Sequence, residues 1–463
     1  MGEVLGHFSR LMAPISYKLF SIISLLYSLP ICYSYNPSPI PPPKRGSKRL
    51  VNKISSFGIA TFTAASLLFH PNVPQSIPFS PFNVLNQPAA IAKELASGSG
   101  SRVNKDPSSL LRYGLPIPST ISPSVRSLQS AVEGVKGDVT SKRFSAAKDG
   151  VKKARGLVKS KKGTAIVSSV IRGDGAAMMS KLDVALSKLD DAISDAQGYE
   201  RGSEQERSSL DVAYGLQDEA AGIVGTIEEG MVPETYEVKV PGEYEGLPRL
   251  KGRAEVVMTF KKAGGAPFDI NGVNFPKATM RMVIDGYTAP VTGGNFVELV
   301  KKGFYNDMEI QRSDGFVVQT GKPKDGSEGY VGDGGASVKQ LGKGSKGERL
   351  LPLEIFVVGD KQAVYEETIE DNGRGGQATV LPFSSYGAMG WAREEYDANS
   401  GSSQFFWLLF DSDLTPAGKN VLDGRYSCFG YVVEGEEFLR DIKEGDIITE
   451  AKVEKGGDMI KYE

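Results

Sequence analysis

Histidine is nearly absent from this sequence, and the shortage restricts the chemistry that the chain can perform. The 463 residues include two histidines, His7 and His70, and both lie in an N-terminal stretch that we expect to be removed. A chain without histidine has no Ser/His/Asp or Cys/His catalytic triad and no His-ligated metal site. These classes of enzyme are therefore excluded, and we predict no metal ion.

Cysteine is equally scarce. The chain contains Cys32 and Cys428, and only Cys428 lies beyond the N-terminal stretch. A single remaining cysteine cannot form an intramolecular disulfide. Because Cys428 lies in an apolar run, we interpret it as a packing residue and not as a nucleophile.

An excess of positive charge is also missing. The whole chain has 54 basic and 56 acidic residues, of which 47 and 55 lie beyond residue 92, a net charge of −8 for that part. Proteins that bind nucleic acid need a basic face to neutralise phosphates. We therefore predict no nucleic-acid partner. The 40% apolar and 24% charged residues are typical of a soluble globular protein.

The first 92 residues have the features of a targeting presequence. Two apolar stretches, 19–31 and 59–69, are each shorter than the ~20 residues of a transmembrane helix. Between them lies a Pro-, Ser- and Lys/Arg-rich stretch without acids, and residues 90–92 form an A-x-A cleavage signal. Signal peptide, transit region and second signal in series predict a thylakoid lumen, in a complex plastid entered through a signal peptide. The alternative is one uncleaved anchor followed by a disordered linker.

After a Gly/Ser-rich segment, predicted as a flexible lead-in over 93–120, the pattern becomes helical. Apolar residues recur at three- and four-residue steps, which is typical of one face of a helix. They are Val125, Leu128, Val132 and Val135, then Met178, Leu182, Leu186, Leu189 and Ile193, then Val212, Leu216, Ala220, Ile223, Val224 and Ile227. We predict three or four helices in an antiparallel bundle over 121–232. The bundle has no catalytic motif, so we interpret it as an interaction or regulatory domain.

A basic run over 152–162 stands out within this acidic chain. It fits peripheral association with a membrane surface or another anionic partner. The alternative is a solvated helix face without a partner.

A Pro- and Gly-rich linker over 233–250 follows the bundle. Beyond it, apolar residues recur at every second position. Ala254, Val256, Met258 and Phe260 alternate with other residues, as in a half-buried strand. Short strands with Gly-rich turns continue to the end of the chain. The sequence therefore predicts an α+β multidomain fold, in which an antiparallel β-barrel or sandwich follows the helical bundle.

Four motifs in this second part occur in the order of a known family. They are A-P-V-T-G-G-N-F-V at 289–297, I-Q-R-S-D-G-F-V-V-Q-T-G at 310–321, G-S-S-Q-F-F at 401–406, and L-D-G-R-Y followed by F-G at 422–430. Together they resemble the cyclophilin-type peptidyl-prolyl isomerases. The preceding bundle makes the plan similar to the large multidomain cyclophilins of the thylakoid lumen, which serve photosystem II assembly and maintenance. The resemblance implies a cyclophilin-like barrel with flanking helices over 251–463, with an insertion at about 322–380.

The resemblance also implies the roles of individual residues. Arg312 matches the catalytic guanidinium, and Gln319 matches the residue that orients the arginine or the substrate carbonyl. Phe316 is counted with these two as catalytic and also lines the proline pocket. The substrate-binding positions are Val317, Phe406 and Leu422 in the pocket, Ala392 and Arg393 along the substrate backbone, and Tyr426 in place of a pocket-edge histidine. Isomerisation lowers a rotational barrier of ~18–20 kcal/mol electrostatically, so no cofactor is expected.

The sequence departs from the family pattern at several points. Arg312 and Phe316 are four positions apart where the family has five, a deletion that can turn the arginine away from the pocket. Val317 replaces a methionine, and Val421 replaces the tryptophan that contacts cyclosporin in many members. The insertion is open to two interpretations: a cover or partner-binding segment, or a tolerated surface insertion.

Two functions remain from these observations. The first is a lumenal protein that binds and isomerises X-Pro segments of lumenal or thylakoid-membrane proteins, with photosystem II subunits as the expected clients. The alternative is a peptide-binding chaperone or scaffold with little or no turnover, regulated by its helical bundle.

Overall fold

The computed structural model describes residues 103–332, 347–410 and 420–462. All the described residues belong to one compact unit. The predicted presequence and part of the predicted insertion lie outside the described residues.

Six helices make up the N-terminal part of the described chain. They are α1 (Pro107–Tyr113), α2 (Ser122–Thr140), α3 (Phe144–Val158), α4 (Lys161–Ser169), α5 (Gly175–Gly198) and α6 (Glu204–Gly230). Three or four helices were predicted, and four of the six have 15 or more residues, whereas the short helices α1 and α4 were not predicted. Among the described residues, none of the helices combines the length and apolar character that crossing a membrane requires.

Side-chain caps define where the two longest helices begin. The Asp174 carboxylate accepts hydrogen bonds from the amides of Ala176 and Ala177 at the start of α5. At the start of α6, the Ser203 hydroxyl accepts from the Glu206 amide, and the Glu206 carboxylate accepts from the Gly202 amide. Such caps satisfy amides that have no partner within the helix.

The bundle core follows the predicted apolar stripes, with one shift. Leu182, Leu186 and Ile193 of α5 are fully buried, as the periodicity predicts. In α6 the predicted stripe begins with Val212, which is 54% exposed, because the buried face runs through Leu210 and Ala213 instead. Several small and apolar residues on neighbouring helical positions leave the buried face ambiguous in the sequence.

Strands follow from residue 249 onward. They are β1 (Arg249–Leu250), β2 (Arg253–Lys261), β3 (Phe268–Ile270), β4 (Val273–Phe275), β5 (Ala278–Asp285), β6 (Met308–Ser313), β7 (Val317–Thr320), β8 (Glu354–Ile355), β9 (Val364–Tyr365), β10 (Ala388–Trp391), β11 (Phe405–Leu408), β12 (Cys428–Glu434), β13 (Ile447–Lys455) and β14 (Ile460–Lys461). A seventh helix, α7 (Pro290–Lys301), follows β5.

Eight of the strands close into a barrel in the order β10-β11-β7-β6-β13-β2-β5-β12, with antiparallel neighbours throughout. Ala254, Val256, Met258 and Phe260 of β2 all belong to the main apolar core, as the alternation predicts. The prediction of an antiparallel barrel behind a helical bundle is confirmed.

The segment predicted as an insertion, 322–380, is tied to the barrel through a buried carboxylate. Glu354, on β8, accepts hydrogen bonds from the amides of Val291 and Thr292 at the start of α7, and from the Thr292 hydroxyl. The Tyr365 hydroxyl donates to the same carboxylate at 2.7 Å. The first turn of α7 is thus capped by a residue from the insertion, which fixes the insertion against the barrel.

Candidate functional site

The candidate site lies on the outer face of β7 and β11. In these neighbouring strands Gln319 is paired with Phe406, and Val317 with Leu408. Alternate residues, among them Val318 and Phe405, point into the main core. Because successive side chains in a strand point to opposite faces, Val317, Gln319 and Phe406 share the outer face.

A bulge in β6 brings Arg312 into line with these residues. The pairing of β6 with β7 shifts register between Ile310, which lies opposite Thr320, and Arg312, which lies opposite Gln319. Ile310 is 1% exposed in the core, whereas the Arg312 side chain is 54% exposed. A regular strand would turn both side chains to one face, and the extra residue at the bulge separates them. Despite the short spacing to Phe316, Arg312 therefore lies in a cross-strand row with Gln319 and Phe406.

The Arg312 guanidinium is paired with an acid of the following turn. Its Nε atom donates to Oδ2 of Asp314 at 2.7 Å, and a second guanidinium nitrogen contacts the same oxygen. The other oxygen, Oδ1, accepts from the amides of Phe316 and Val317 at 2.9 and 3.0 Å. Partial burial acts to raise the pKa of Asp314, but these two amides and the Arg312 charge outweigh it and hold the pKa below its usual range.

Gln319 has a different hydrogen-bond partner. Its side-chain amide donates to the Gln404 side-chain oxygen at 3.1 Å, and the Gln404 amide in turn donates to the Glu328 carbonyl. The glutamine is therefore fixed beside Arg312 on the barrel surface and linked to the insertion through Glu328.

The apolar part of the site is centred on Phe406. Its ring lies edge-on to Tyr426, with centroids 5.7 Å apart, and stacks on Phe383 at 6.0 Å. A Cβ atom at Gly390 would lie 2.1 Å from the Phe406 ring, so this position admits only glycine. Val317 belongs to the same apolar cluster, and Leu422 packs against it.

Other predicted site residues surround this cluster. Phe316 is 37% exposed, and its ring lies 5.1 Å from that of Phe410. The Arg393 guanidinium lies over the Tyr426 ring at 4.8 Å and donates to the carbonyl of Arg425. Ala392, just before it, is half-buried against the cluster. All nine predicted positions are thus on or beside one outer face of the barrel.

Two contributors to this surface were missed by the sequence reasoning. Phe383, just after the insertion, stacks on Phe406. Leu110 and Leu111 of α1 are at most 4% exposed and belong to the same cluster as Val317 and Phe406. Helix α1 lies in the segment predicted as a flexible lead-in, and the burial of its leucines departs from that prediction. The Leu-Leu pair was the available signal, but a helix of seven residues, about two turns, is too short to show a period.

Cys428, the one cysteine among the described residues, borders the cluster. Burial raises the pKa of the Cys428 thiol far above its usual range, with a smaller contribution from the charge of Asp423. A thiol with a raised pKa is a poor nucleophile. The structure therefore agrees with a packing role for Cys428.

Two protein families match this chain. Residues 270–462 match the family described as cyclophilin type peptidyl-prolyl cis-trans isomerase. Residues 106–232 match the family described as peptidyl-prolyl cis-trans isomerase CYP38-like, PsbQ-like domain.

Curated relatives match both parts together. Peptidyl-prolyl cis-trans isomerase CYP38, chloroplastic, of Arabidopsis thaliana is 38% identical over 76% of this chain and 74% of its own length. The putative thylakoid lumen peptidyl-prolyl cis-trans isomerase sll0408 of Synechocystis is 36% identical over 81% of this chain and 88% of its own. Peptidyl-prolyl cis-trans isomerase CYP37, chloroplastic, of Arabidopsis thaliana is 34% identical over 48% of this chain and 44% of its own.

Proposed function

Because this chain belongs to the cyclophilin-type peptidyl-prolyl isomerases that carry a PsbQ-like helical domain, we propose that it binds X-Pro segments of client polypeptides beside Phe406 and accelerates their isomerisation. The observation that supports this function most directly is the row of Arg312, Gln319 and Phe406 on three neighbouring strands. Adjacent strands lie about 5 Å apart, so the backbone positions of Arg312 and Phe406 are about 10 Å apart, with Gln319 between them.

The proposed isomerisation needs only a bound X-Pro segment and a positive charge near its prolyl nitrogen. The cis and trans forms of an X-Pro bond differ by ≈ 0.5–1 kcal/mol, so the task is to lower the barrier between them. A guanidinium that donates towards the prolyl nitrogen weakens the amide resonance that creates this barrier. Arg312 supplies that donor, while Val317, Phe406, Leu422 and Tyr426 supply an apolar wall for the proline ring.

A second function, peptide binding with little turnover, is favoured by two further observations. Phe406 is 5% exposed, and its cluster includes Leu110 and Leu111 of the helical domain. The arginine is already paired with Asp314. In this alternative the protein is a chaperone or scaffold whose peptide surface is regulated by the helical bundle.

Location and clients follow from the relatives and from the sequence. The matched proteins are named as chloroplastic or thylakoid-lumen isomerases, which supports a place in the thylakoid lumen for this chain as well. The two apolar stretches before residue 92 support entry through a signal peptide into a complex plastid. The similarity to lumenal cyclophilins of photosystem II assembly supports subunits of that complex as clients.

One experiment separates the two functions. Residues 93–463 are assayed for X-Pro isomerisation and, separately, for affinity to the same proline-containing peptide, alongside Arg312→Ala. We expect the substitution to lower the rate by about a hundredfold, which is typical for the loss of a donor aimed at the reacting group, with affinity reduced far less.

The control for this experiment is Arg374→Ala. Arg374 is another partly exposed guanidinium, and it pairs bidentately with Asp360 in the insertion. Removing it should change neither rate nor affinity. Binding without any rate above background would support the chaperone alternative, and absence of binding would exclude both functions.

Peripheral association with an anionic membrane is a separate part of the proposal. Residues 142–162, which span α3 and the start of α4, carry nine basic residues and one acid. Arg155 and Lys159 pair with Asp183, and Lys142 and Arg143 pair with Glu206 and Asp138. The other five basic residues of this segment, Lys148, Lys152, Lys153, Lys161 and Lys162, have no ion-pair partner in the described part of the chain. These five lysines, which we call the basic surface, match the charge of an anionic lipid headgroup layer.

A further inference from the structure

We propose that Asp314 is a positioning residue that restrains the Arg312 guanidinium and thereby limits the rate of X-Pro isomerisation. This inference depends on the proposed function, in which Arg312 is the group that acts on the prolyl nitrogen. It adds Asp314 to Arg312 as a residue that sets the rate of isomerisation.

The turn between β6 and β7 holds the Asp314 carboxylate in place before any substrate binds. Oδ1 accepts from the amides of Phe316 and Val317, and Gly315, between Asp314 and Phe316, has φ +82°, which favours glycine. The carboxylate is therefore fixed by the backbone. It does not lose further freedom when it pairs with the arginine, which removes part of the usual entropic cost of a surface ion pair.

Two guanidinium nitrogens of Arg312 are engaged in the ion pair with Asp314. Nε and one terminal nitrogen both point to Oδ2 of Asp314, two residues further along the chain. Asp314 is the one ion-pair partner that the described part of the chain gives to Arg312. Donors engaged in this way are not available to a prolyl nitrogen or carbonyl, so a substrate has to displace the carboxylate or accept fewer hydrogen bonds.

The charge of Asp314 has an effect beyond the lost hydrogen bonds. Catalysis by Arg312 depends on positive potential at the twisting amide. A carboxylate 2.7 Å from Nε cancels much of that potential. Because both side chains are partly exposed, at 54% and 39%, salt screens the pair and weakens the restraint.

The test is the substitution Asp314→Asn in residues 93–463. Asparagine keeps an oxygen for the Phe316 and Val317 amides but removes the negative charge. We expect kcat/KM for isomerisation to rise by about two- to fivefold, the range given by surface ion pairs. Raising the salt concentration should increase the rate of the original protein and leave that of the variant unchanged, and a purely structural role for Asp314 does not produce this difference.

Two further variants complete the test. Asp360→Asn removes the charge from the bidentate pair with Arg374 in the insertion and should leave the rate unchanged. Arg312→Ala with Asp314→Asn should show no gain over Arg312→Ala alone. A rate that stays equal or falls in Asp314→Asn overturns the inference. Loss of peptide binding, or a rate insensitive to Arg312→Ala, instead contradicts the proposed function itself.

Discussion

The guanidinium of Arg253, on the first long barrel strand, donates a hydrogen bond to the backbone carbonyl of Leu111 in α1. The same guanidinium forms an ion pair with Asp285, whose side chain is fully buried, and a longer one with Glu229 at the end of α6. One side chain therefore joins the barrel to two helices of the N-terminal domain. It also fixes α1, whose leucines belong to the apolar cluster of the candidate site.

We predict that Arg253→Ala lowers the free energy of unfolding by about 3–5 kcal/mol. The substitution leaves the Asp285 carboxylate buried without a cation, which is the costly way to break a buried ion pair. The measurement is denaturant unfolding of residues 93–463.

The matched control for Arg253→Ala is Lys455→Ala. Lys455 also pairs with an acid on the barrel, Glu255, but its side chain is 72% exposed. Pairs of this kind contribute little, so its loss should hardly move the unfolding midpoint. Equal effects of the two substitutions would contradict the role given to Arg253.

Leu110→Ala tests the regulation by the helical bundle that belongs to the second proposed function. Leu110 is fully buried in the cluster that includes Val317 and Phe406, and its truncation should cost about 2–5 kcal/mol of stability. If the helical domain regulates the peptide surface, loosening this contact should also raise the affinity for an X-Pro peptide. The control is Val184→Ala on α5, which is 53% exposed and should change neither quantity. Unchanged affinity in a folded Leu110→Ala variant would contradict regulation through α1.

The barrel and the long helices could be predicted because their signals are local and repeated. The alternation of Ala254, Val256, Met258 and Phe260 leaves one way to bury four apolar side chains on a strand. The nine site positions were transferred from motifs, and the structure places them on one face. Whether they bind peptide remains a prediction.

The long-range contacts that position the site residues could not be predicted from local sequence patterns. Arg312 lines up with Gln319 through a bulge, and its register depends on strand pairing that the local sequence does not encode. Asp314-Gly315 is a recognisable turn signal. The ion pair of Asp314 with Arg312, however, depends on the side-chain conformation of Arg312, which the sequence does not show. The burial of Leu110 depends on an apolar cluster whose other members, such as Val317 and Phe406, lie more than 200 positions away in the sequence.

We expect Glu228 to make the free energy of unfolding vary with pH. Burial raises the pKa of this carboxyl from 4.5 to about 7, and the charge of Arg126, 3.1 Å away, opposes the shift without cancelling it. The folded protein therefore binds a proton that the unfolded chain releases between pH 4.5 and about 7. Stability from this group is fully present below pH 4.5 and decreases as the pH rises to about 7.

We expect the free energy of unfolding to increase by on the order of 2 kcal/mol when the pH falls from 7.5 to 5.5. Glu228→Gln, which mimics the protonated carboxyl, should remove most of this increase. Glu219→Gln, at an exposed position of the same helix, should preserve it. If the free energy of unfolding of Glu228→Gln varied with pH as it does in the original protein, other titratable groups would be responsible for the increase.

The basic surface gives the last prediction. A lysine close to an anionic membrane contributes roughly 1 kcal/mol, so Lys152, Lys153, Lys161 and Lys162 together should account for most of the binding. Replacing all four with glutamine should weaken the binding of residues 93–463 to vesicles of anionic lipid, measured by sedimentation, by on the order of a thousandfold at low salt. The matched control replaces the exposed lysines Lys239, Lys277, Lys361 and Lys452, which changes the net charge equally but leaves the basic surface intact. Because the chain beyond residue 92 has a net charge of −8, overall attraction cannot explain binding, and only an oriented surface can. Equal binding by both variants, or no preference for anionic over neutral vesicles, would leave the basic surface as a solvated helix face.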